Sequence, residues 1–214
     1  IPDNPGGGTV DWTNPWGGHK YVDNIEARED GGTPAFLQTI KTALAIQLKN
    51  KMGVRNILDR EQELHKIIWS KFSSLENLHV LADNFPERLG VYSFYIDNLH
   101  FNLAVQLLND KYGIQVRGGC SCAGTYGHIL LNLQPDQSCD ITTKINEGNL
   151  TSKPGWVRMS IHPTMTDEEI HCIMNAIEDI AKNHKELSKD YKYISGTNEF
   201  RYKEDIYAQR NKER

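Results

Sequence analysis

The chain has 214 residues and a net charge of -4 at pH 7, with 38% hydrophobic residues and four cysteines. This length is enough for one large domain, or for one domain and part of another. The slightly acidic balance gives no reason to expect nucleic acid as a partner, and no apolar run approaches the length of a membrane span. Four cysteines are too few for a disulfide scaffold, so we expect a reducing, cytoplasmic location.

The first thirty residues are rich in glycine and proline, which predicts loops. Gly6, Gly7 and Gly8 could form a nest of backbone amides that binds an anion, although a plain flexible turn is the simpler interpretation. Lys20 is a candidate Schiff-base lysine, but its polar surroundings favour a solvated loop lysine instead. The chain does not start with methionine and shows no signal peptide, so we expect it to be part of a longer protein.

A long helix is predicted over residues 34–52, because apolar residues recur there with a helical period and a glycine follows. Thr33 is expected to cap its start, with Pro34 as the first helical residue. The Thr33 hydroxyl, Gly32 and the free amides of a helix start would also suit a phosphate group. Capping alone explains the same residues, so both interpretations stay open.

The change of pattern along the chain predicts three segments. Residues 1–53 would be one domain and residues 54–184 a second, with the boundary at the glycine that ends the first helix. The second domain opens with another helix and then reads β-β-α-β-β-α, which predicts an α+β fold: an antiparallel or mixed sheet with helices on one face. Residues 134–155 are polar and turn-rich and predict a surface excursion. Residues 185–214 are dominated by charged residues and predict a loosely attached polar tail.

The clearest chemical signal is a Cys-x-Cys pair, Cys120 and Cys122, which follows a strand predicted from Ile114 and two glycines. The glycines allow a sharp turn, and a thiol just past such a turn is displayed at a strand end. Arg117 and the turn amides are positive neighbours that favour the thiolate, the nucleophilic form of the side chain. Free cysteines are more often buried packing residues, but this flanking sequence argues against that. The two cysteines are too close to predict an easy mutual disulfide.

Four motifs, in this order and spacing, resemble the class V aminotransferase family of pyridoxal-phosphate enzymes, and within it the cysteine desulfurases and selenocysteine lyases. The resemblance covers about residues 4–182 and rests on the segments Gly6–Val10, Gly32–Pro34, Val116–Ala123 and Val157–Ser160. It implies the small C-terminal domain of a fold-type I enzyme, preceded by the end of the large cofactor-binding domain. It also implies a homodimer formed through the cofactor site.

The resemblance assigns roles to residues around the Cys-x-Cys pair. Cys122 falls on the catalytic cysteine of the desulfurases, whereas Cys120 and Ser121 stand where those enzymes have two histidines. This difference leaves open which of the two cysteines reacts. Arg158 falls on the arginine that pairs with the substrate carboxylate, a task suited to its planar fork. Without the resemblance, a structural ion pair would explain Arg158 equally well.

The implied cofactor is pyridoxal 5'-phosphate, and the resemblance places Gly7, Gly8, Gly32 and Thr33 around it. Thr33 falls on the threonine that reaches the cofactor phosphate of the other subunit. The Schiff-base lysine of the family lies upstream of the glycine cluster, so it would precede residue 1, and the chain by itself is expected to be inactive. The implied partners are a small amino-acid substrate and, for a desulfurase, a sulfur-acceptor protein; neither a membrane nor a metal ion is expected.

These features predict a pyridoxal-phosphate enzyme that acts on a small amino acid, most simply by cysteine desulfuration with a persulfide on a loop cysteine and release of alanine. An aminotransferase or another lyase of the same class is one alternative, because small changes redirect the chemistry of this cofactor. A non-catalytic module that binds metal or persulfide through Cys120, Cys122 and His128 is the other. Its spacing lacks the second ligand pair of a structural zinc site.

Overall fold

The computed structural model describes residues 2–204, which form two compact units: one ends at Asn56 and the other begins at Ile57. The first unit contains more regular structure than the loops and single helix predicted for it. Asn14 closes an antiparallel hairpin by accepting hydrogen bonds from the backbone amides of Trp16 and Gly18. The hairpin and the short helix that follows it are β1 (Val10–Thr13), β2 (His19–Tyr21) and α1 (Ile25–Glu29).

The long helix of this unit, α2 (Phe36–Met52), starts two residues later than predicted. The amide of Phe36 donates to the carbonyl of Pro34, which forms an inverse γ-turn at Ala35 and separates Thr33 from the helix. The prediction that Thr33 caps this helix is therefore wrong, and within residues 2–204 no side chain caps it. None of its side chains is buried, although the apolar ones recur with the predicted helical period.

The second unit is built on a four-stranded antiparallel sheet with the strand order β3-β4-β6-β5. Its strands are β3 (Leu78–Val80), β4 (Val91–Ile96), β5 (Arg117–Gly119) and β6 (Trp156–Ser160). The two central strands, β4 and β6, pair with Tyr92 opposite Met159 and Phe94 opposite Val157. β5 forms an edge and begins at Arg117, three residues later than the strand expected from Ile114.

The helices of this unit are α3 (Val54–Ser73), α4 (Phe101–Tyr112), α5 (Gly124–Leu130), α6 (Pro135–Asn146) and α7 (Asp167–Leu187). Tyr92, Phe94 and Ile96 alternate along β4 and therefore share one face of the sheet. They form a single core with side chains from α3, α4 and α7: Leu64, Ile68, Phe72, Leu107, Leu108, Ile170, Met174, Ile177 and Ile180. The predicted α+β fold with an antiparallel sheet is confirmed, and α3, α4 and α7 pack against one face of the sheet as expected. No helix within residues 2–204 has the length and apolar content needed to cross a membrane.

Residues 135–146 lie at the surface as predicted, but they form the helix α6 and not the turns expected over residues 134–155. This helix starts at a capping box between Gln134 and Gln137, with Pro135 in its first turn. None of its side chains is buried, and Ile141 and Ile145 are its only aliphatic residues, too few to indicate a helix from the sequence.

The prediction of a loosely attached tail from residue 185 is wrong for the residues that the structure describes. α7 continues to Leu187, and after one turn of 3-10 helix the strands β7 (Tyr191–Ile194) and β8 (Glu199–Tyr202) form an antiparallel hairpin. Four aromatic side chains at alternating positions give this hairpin an apolar face: Tyr191, Tyr193, Phe200 and Tyr202. The many charged residues around them hid this strand pattern. Residues 205–214 of the predicted tail lie outside the described residues.

Candidate functional site

A strained turn presents the Cys-x-Cys pair at the end of β5. The amide of Ala123 donates to the carbonyl of Cys120 at 2.9 Å, and both central residues have positive φ, 53° at Ser121 and 61° at Cys122. Two positive φ values are typical of a type I′ turn, whose central positions normally hold glycine or asparagine. A left-handed conformation costs about 1–2 kcal/mol for each ordinary residue. Strain of this kind, held by the surrounding structure, is typical of functional sites.

The environment of Cys122 differs from that of a packing residue. Its side chain is exposed, and Nη2 of Arg117 donates a hydrogen bond to its Sγ at 3.8 Å. Arg117 is thus the positive neighbour of this thiol that the sequence indicated. Cys120 is half-buried, and the Oγ atom of Ser121 between them is buried without a hydrogen-bond partner in the described part of the chain. The interpretation of Cys122 as a buried packing residue is therefore wrong.

A pair of arginines lies beside this turn. Arg117 stands directly opposite Arg158 across β5 and β6, and Arg158 stands opposite Ser93 of β4. Val157 and Met159 point into the core, so Arg158 and its neighbour Arg117 lie on the other face of the sheet. Like charges directly opposite each other destabilise a sheet, and within residues 2–204 neither guanidinium has a carboxylate partner. Two unneutralised planar forks on one face are suited to bind an anion such as a carboxylate.

The helix after the turn, α5, lies against the same face. A Cβ on Gly127 would come within 3.3 Å of the ring of Trp156, which alternates with Arg158 along β6. His128 Nδ1 donates to the carbonyl of Gly124 at 2.8 Å, and its Nε2 lies at hydrogen-bond distance, 2.8 Å, from the Ser138 hydroxyl. Both nitrogens of this histidine are engaged. Among the described residues, no group of three or more His, Cys, Asp or Glu side chains is placed to hold a metal ion.

In the first unit, the structure brings together the two glycine segments assigned to the cofactor. The amide of Gly32 donates to the carbonyl of Gly7 at 2.7 Å, and Gly8 and Gly32 both have positive φ, 88° and 91°. Thr9 is buried, and its hydroxyl both donates to the carbonyl of Gly6 and accepts from the amide of Gly6. Thr9 was not among the expected site residues, although its place directly after three glycines could have suggested this bracing role.

These segments fit a phosphate group. Thr33 is exposed, and the start of α2 beyond it has no capping side chain within residues 2–204, so backbone amides there remain available to an anion. Lys20 has a different role: its Nζ lies 2.8 Å from a carboxylate oxygen of Asp11 on the surface. The hydrogen bond to Asp11 and its charge raise the pKa of Lys20. Lys20 is solvated as predicted, but it lies in the strand β2 and not in a loop.

The second unit is thus a small α+β domain that displays a nucleophilic side chain and an arginine pair on one face of its sheet. The family model for class-V aminotransferases matches residues 2–173, and the chain belongs to this family. Membership implies dependence on pyridoxal phosphate, with which the glycine segments and the uncapped start of α2 are compatible.

Several relatives are cysteine desulfurases. The probable cysteine desulfurase of Methanothermobacter thermautotrophicus is 27% identical over 179 residues, which cover 82% of this chain and 39% of the relative. The apo cysteine desulfurase from Thermococcus onnurineus matches with a TM-score of 0.58 at 24% identity, over 85% of this chain and 40% of that one. A cysteine desulfurase from Escherichia coli matches with a TM-score of 0.57 at 16% identity, over 85% and 39%. These structures share the fold, and the chain spans about two fifths of the length of the relatives.

Proposed function

We propose that this chain is the C-terminal part of a pyridoxal-phosphate enzyme that removes sulfur from cysteine and leaves alanine and a persulfide on Cys122. The observation that carries the proposal is the strained turn that holds an exposed Cys122 against the guanidinium of Arg117. The cysteine desulfurases among the relatives support the same reaction class.

The residues of this chain would divide the work between the two units. Gly7, Gly8, Gly32 and Thr33 would hold the cofactor phosphate through backbone amides and a hydroxyl. When bound, pyridoxal phosphate supplies an electron sink that weakens the carbon–sulfur bond of the substrate. As the resemblance implies, Thr33 would serve the cofactor of the second subunit in a homodimer.

Residues on one face of the sheet would bind the substrate, and Cys122 in the adjoining turn would attack it. Arg158 would bind the α-carboxylate with its planar fork, on the same face as the Cys122 turn. The Cys122 thiolate then attacks the substrate sulfur and forms a sulfur–sulfur bond as the carbon–sulfur bond breaks. The electron pair stays with the substrate carbon, which takes a proton to become alanine. Arg117 contacts the nucleophile and adds positive charge near the developing anions.

The test uses the longest version of the protein that its gene encodes, supplied with pyridoxal phosphate and cysteine. We expect a visible cofactor absorption band and the release of sulfide and alanine. Cys122→Ala should keep the band and abolish alanine formation, whereas Cys172→Ala, an exposed cysteine on α7, should leave turnover unchanged. Undiminished alanine formation by the Cys122→Ala variant would exclude a persulfide mechanism on this residue.

A second reaction of the same class remains a candidate because Cys120 and Ser121 stand where the desulfurase motif has two histidines. An aminotransferase or another lyase could use the same cofactor and the same arginine. The assay above separates them: a cofactor band with a keto acid product and no sulfide indicates transamination.

A further inference from the structure

We propose that Cys120 is a resolving cysteine for Cys122. Its thiolate attacks the Sγ of Cys122 when that residue carries a persulfide, releases hydrosulfide and leaves a Cys120–Cys122 disulfide. The proposal rests on the proposed function for the source of the persulfide, but the step itself requires only the two cysteines and the turn between them.

The turn brings the two cysteines into range. Only two peptide units separate their Cα atoms, each spanning about 3.8 Å, so in a bent chain these atoms lie within about 7 Å of each other. The hydrogen bond from Ala123 to Cys120 shows that the chain is bent here. Disulfides form at Cα separations of about 4.4–6.8 Å. Ser121 does not stand between the thiols at the surface, because its Oγ is buried.

The exposure of the two side chains suits their separate roles. Cys122 is exposed and touches Arg117, so it is the cysteine that reacts first with a substrate or with dissolved sulfur compounds. Cys120 is half-buried and lies behind it at the other end of the turn. Once Cys122 carries the extra sulfur, its Sγ is bonded to that sulfur and is no longer a thiol. Cys120 is then the remaining thiol of the turn.

The step balances without an external oxidant. The Cys120 thiolate forms a bond to the Cys122 Sγ, the bond from that Sγ to the outer sulfur breaks, and the outer sulfur leaves as hydrosulfide with the electron pair. Cys120 is oxidised and the outer sulfur is reduced. Arg117, already placed at the Cys122 Sγ, is positioned to stabilise the negative charge on the departing sulfur.

The disulfide must be reduced before the next cycle, and a low-molecular-weight thiol or a dithiol protein is the co-reactant required. A bridge between residues two apart closes a small, strained ring, and strained disulfides are readily reduced. The short spacing of the two cysteines argued against a stable structural disulfide. The same spacing suits a transient disulfide that is easily reduced. Without such a reductant, each chain should release one sulfide and then stop.

The test uses the reduced 214-residue chain, treated under anaerobic conditions with a brief pulse of inorganic polysulfide and followed by intact mass and peptide mapping. We expect the wild-type chain to release sulfide and to lose two hydrogen atoms, with a bridge between Cys120 and Cys122. Cys120→Ser should instead retain one extra sulfur on Cys122, with a persulfide lifetime longer by on the order of tenfold or more, because an intramolecular attack is lost.

Two further variants control the experiment. Cys139→Ser, an exposed cysteine outside the turn, should behave as the wild type. Cys122→Ser should take up little sulfur at the half-buried Cys120. Equal persulfide lifetimes in wild type and Cys120→Ser, or sulfur found on Cys120 without sulfide release, would overturn the proposal. Because the assay needs neither the cofactor nor cysteine turnover, its result is separate from that of the desulfurase test.

Discussion

Among the single residues around Cys122, Arg117 is the most informative. Its guanidinium donates to the Cys122 Sγ, and Arg117 stands directly opposite Arg158 on the neighbouring strand β6. The sequence predicted Arg117 as a positive neighbour of a thiol. It did not predict the arginine pair, because that depends on the register between strands about forty residues apart, which no local pattern determines.

Replacing Arg117 with glutamine should slow the alkylation of Cys122. The change keeps a hydrogen-bond donor but removes the positive charge beside the attacking sulfur. An exposed charge interaction of this kind is worth about 0.2–1 kcal/mol, so we expect the rate to fall by a factor of about 1.4 to 5. Peptide-resolved reaction with iodoacetamide measures it. Arg201→Gln, in the β7–β8 hairpin, serves as a control and should leave the rate unchanged; equal rates in both variants would show that Arg117 does not activate this cysteine.

Replacing Arg158 with lysine in the full-length enzyme should raise the KM for cysteine more than it lowers kcat. Lysine keeps the charge but loses one of the two hydrogen bonds that a planar fork can give a carboxylate. Losing one charge-assisted hydrogen bond costs about 1.5 kcal/mol, which corresponds to roughly a tenfold higher KM. Steady-state kinetics measure both constants, with Arg201→Lys as the matched variant. An unchanged KM would mean that Arg158 does not hold the substrate.

At the scale of elements, the position of the cysteine turn depends on how closely β5 approaches α4. Gly118 faces α4, and a Cβ at this position would lie 3.0 Å from the Asn102 Oδ1, 3.0 Å from Val105 and 3.1 Å from Phe101. Only a glycine allows this approach without a shift of the strand. The glycine pair was recognised in the sequence as a turn signal, whereas its packing role required the structure.

Gly118→Ala should therefore destabilise the second unit and disturb the turn that follows β5. Forcing an extra carbon into a packed contact costs about 1–3 kcal/mol. Urea denaturation of the 214-residue chain measures the change, and the alkylation rate of Cys122 reports on the turn. Gly196→Ala provides the control, since its Cβ would meet nothing within 4 Å. A similar effect of both substitutions would argue against close packing at Gly118.

Other elements show where sequence patterns succeed and fail. The core strands and helices were predictable because burial imposes an alternating or a helical apolar period, as along β4 and α7. α6 has no buried side chain and only two aliphatic residues, Ile141 and Ile145, so its apolar period was too short to recognise. The hairpin after α7 buries aromatic rings among charged residues, and the average composition of the segment obscured them.

The stability of the second unit should depend on pH through two histidines that are partly withdrawn from water. Burial, and to a smaller extent the charge of Arg88, lowers the pKa of His65, whose Nδ1 lies 2.8 Å from the buried Tyr92 hydroxyl. Burial raises the pKa of Tyr92 to about 12, so this hydroxyl stays protonated. Burial also lowers the pKa of His100. Protonation of either histidine therefore favours the unfolded chain, in which histidine has its ordinary pKa of about 6.5.

We expect the free energy of unfolding to be constant above about pH 7 and to fall as the pH decreases through about 6.5 towards 5. Carboxylates contribute little in this range: hydrogen bonds from Lys182 and Lys71 lower the pKa of Glu178 to about 2. Urea denaturation at several pH values measures the slope. His65→Gln should make the slope shallower, whereas His171→Gln, exposed on α7, should not. A slope that His65→Gln leaves unchanged would contradict this assignment.

The hairpin after α7 has a practical consequence for dividing this protein into fragments. The family match ends at residue 173, before the hairpin begins. Yet the Asn102 amide donates to the carbonyl of Asn198 in the hairpin turn, and the rings of Tyr193 and Phe200 pack near His100 at the start of α4. A fragment ended where family similarity ends would lose two thirds of α7 and would uncover α4, the helix against which β5 packs. The smallest fragment expected to keep that turn in its native shape runs from residue 57 through Tyr202.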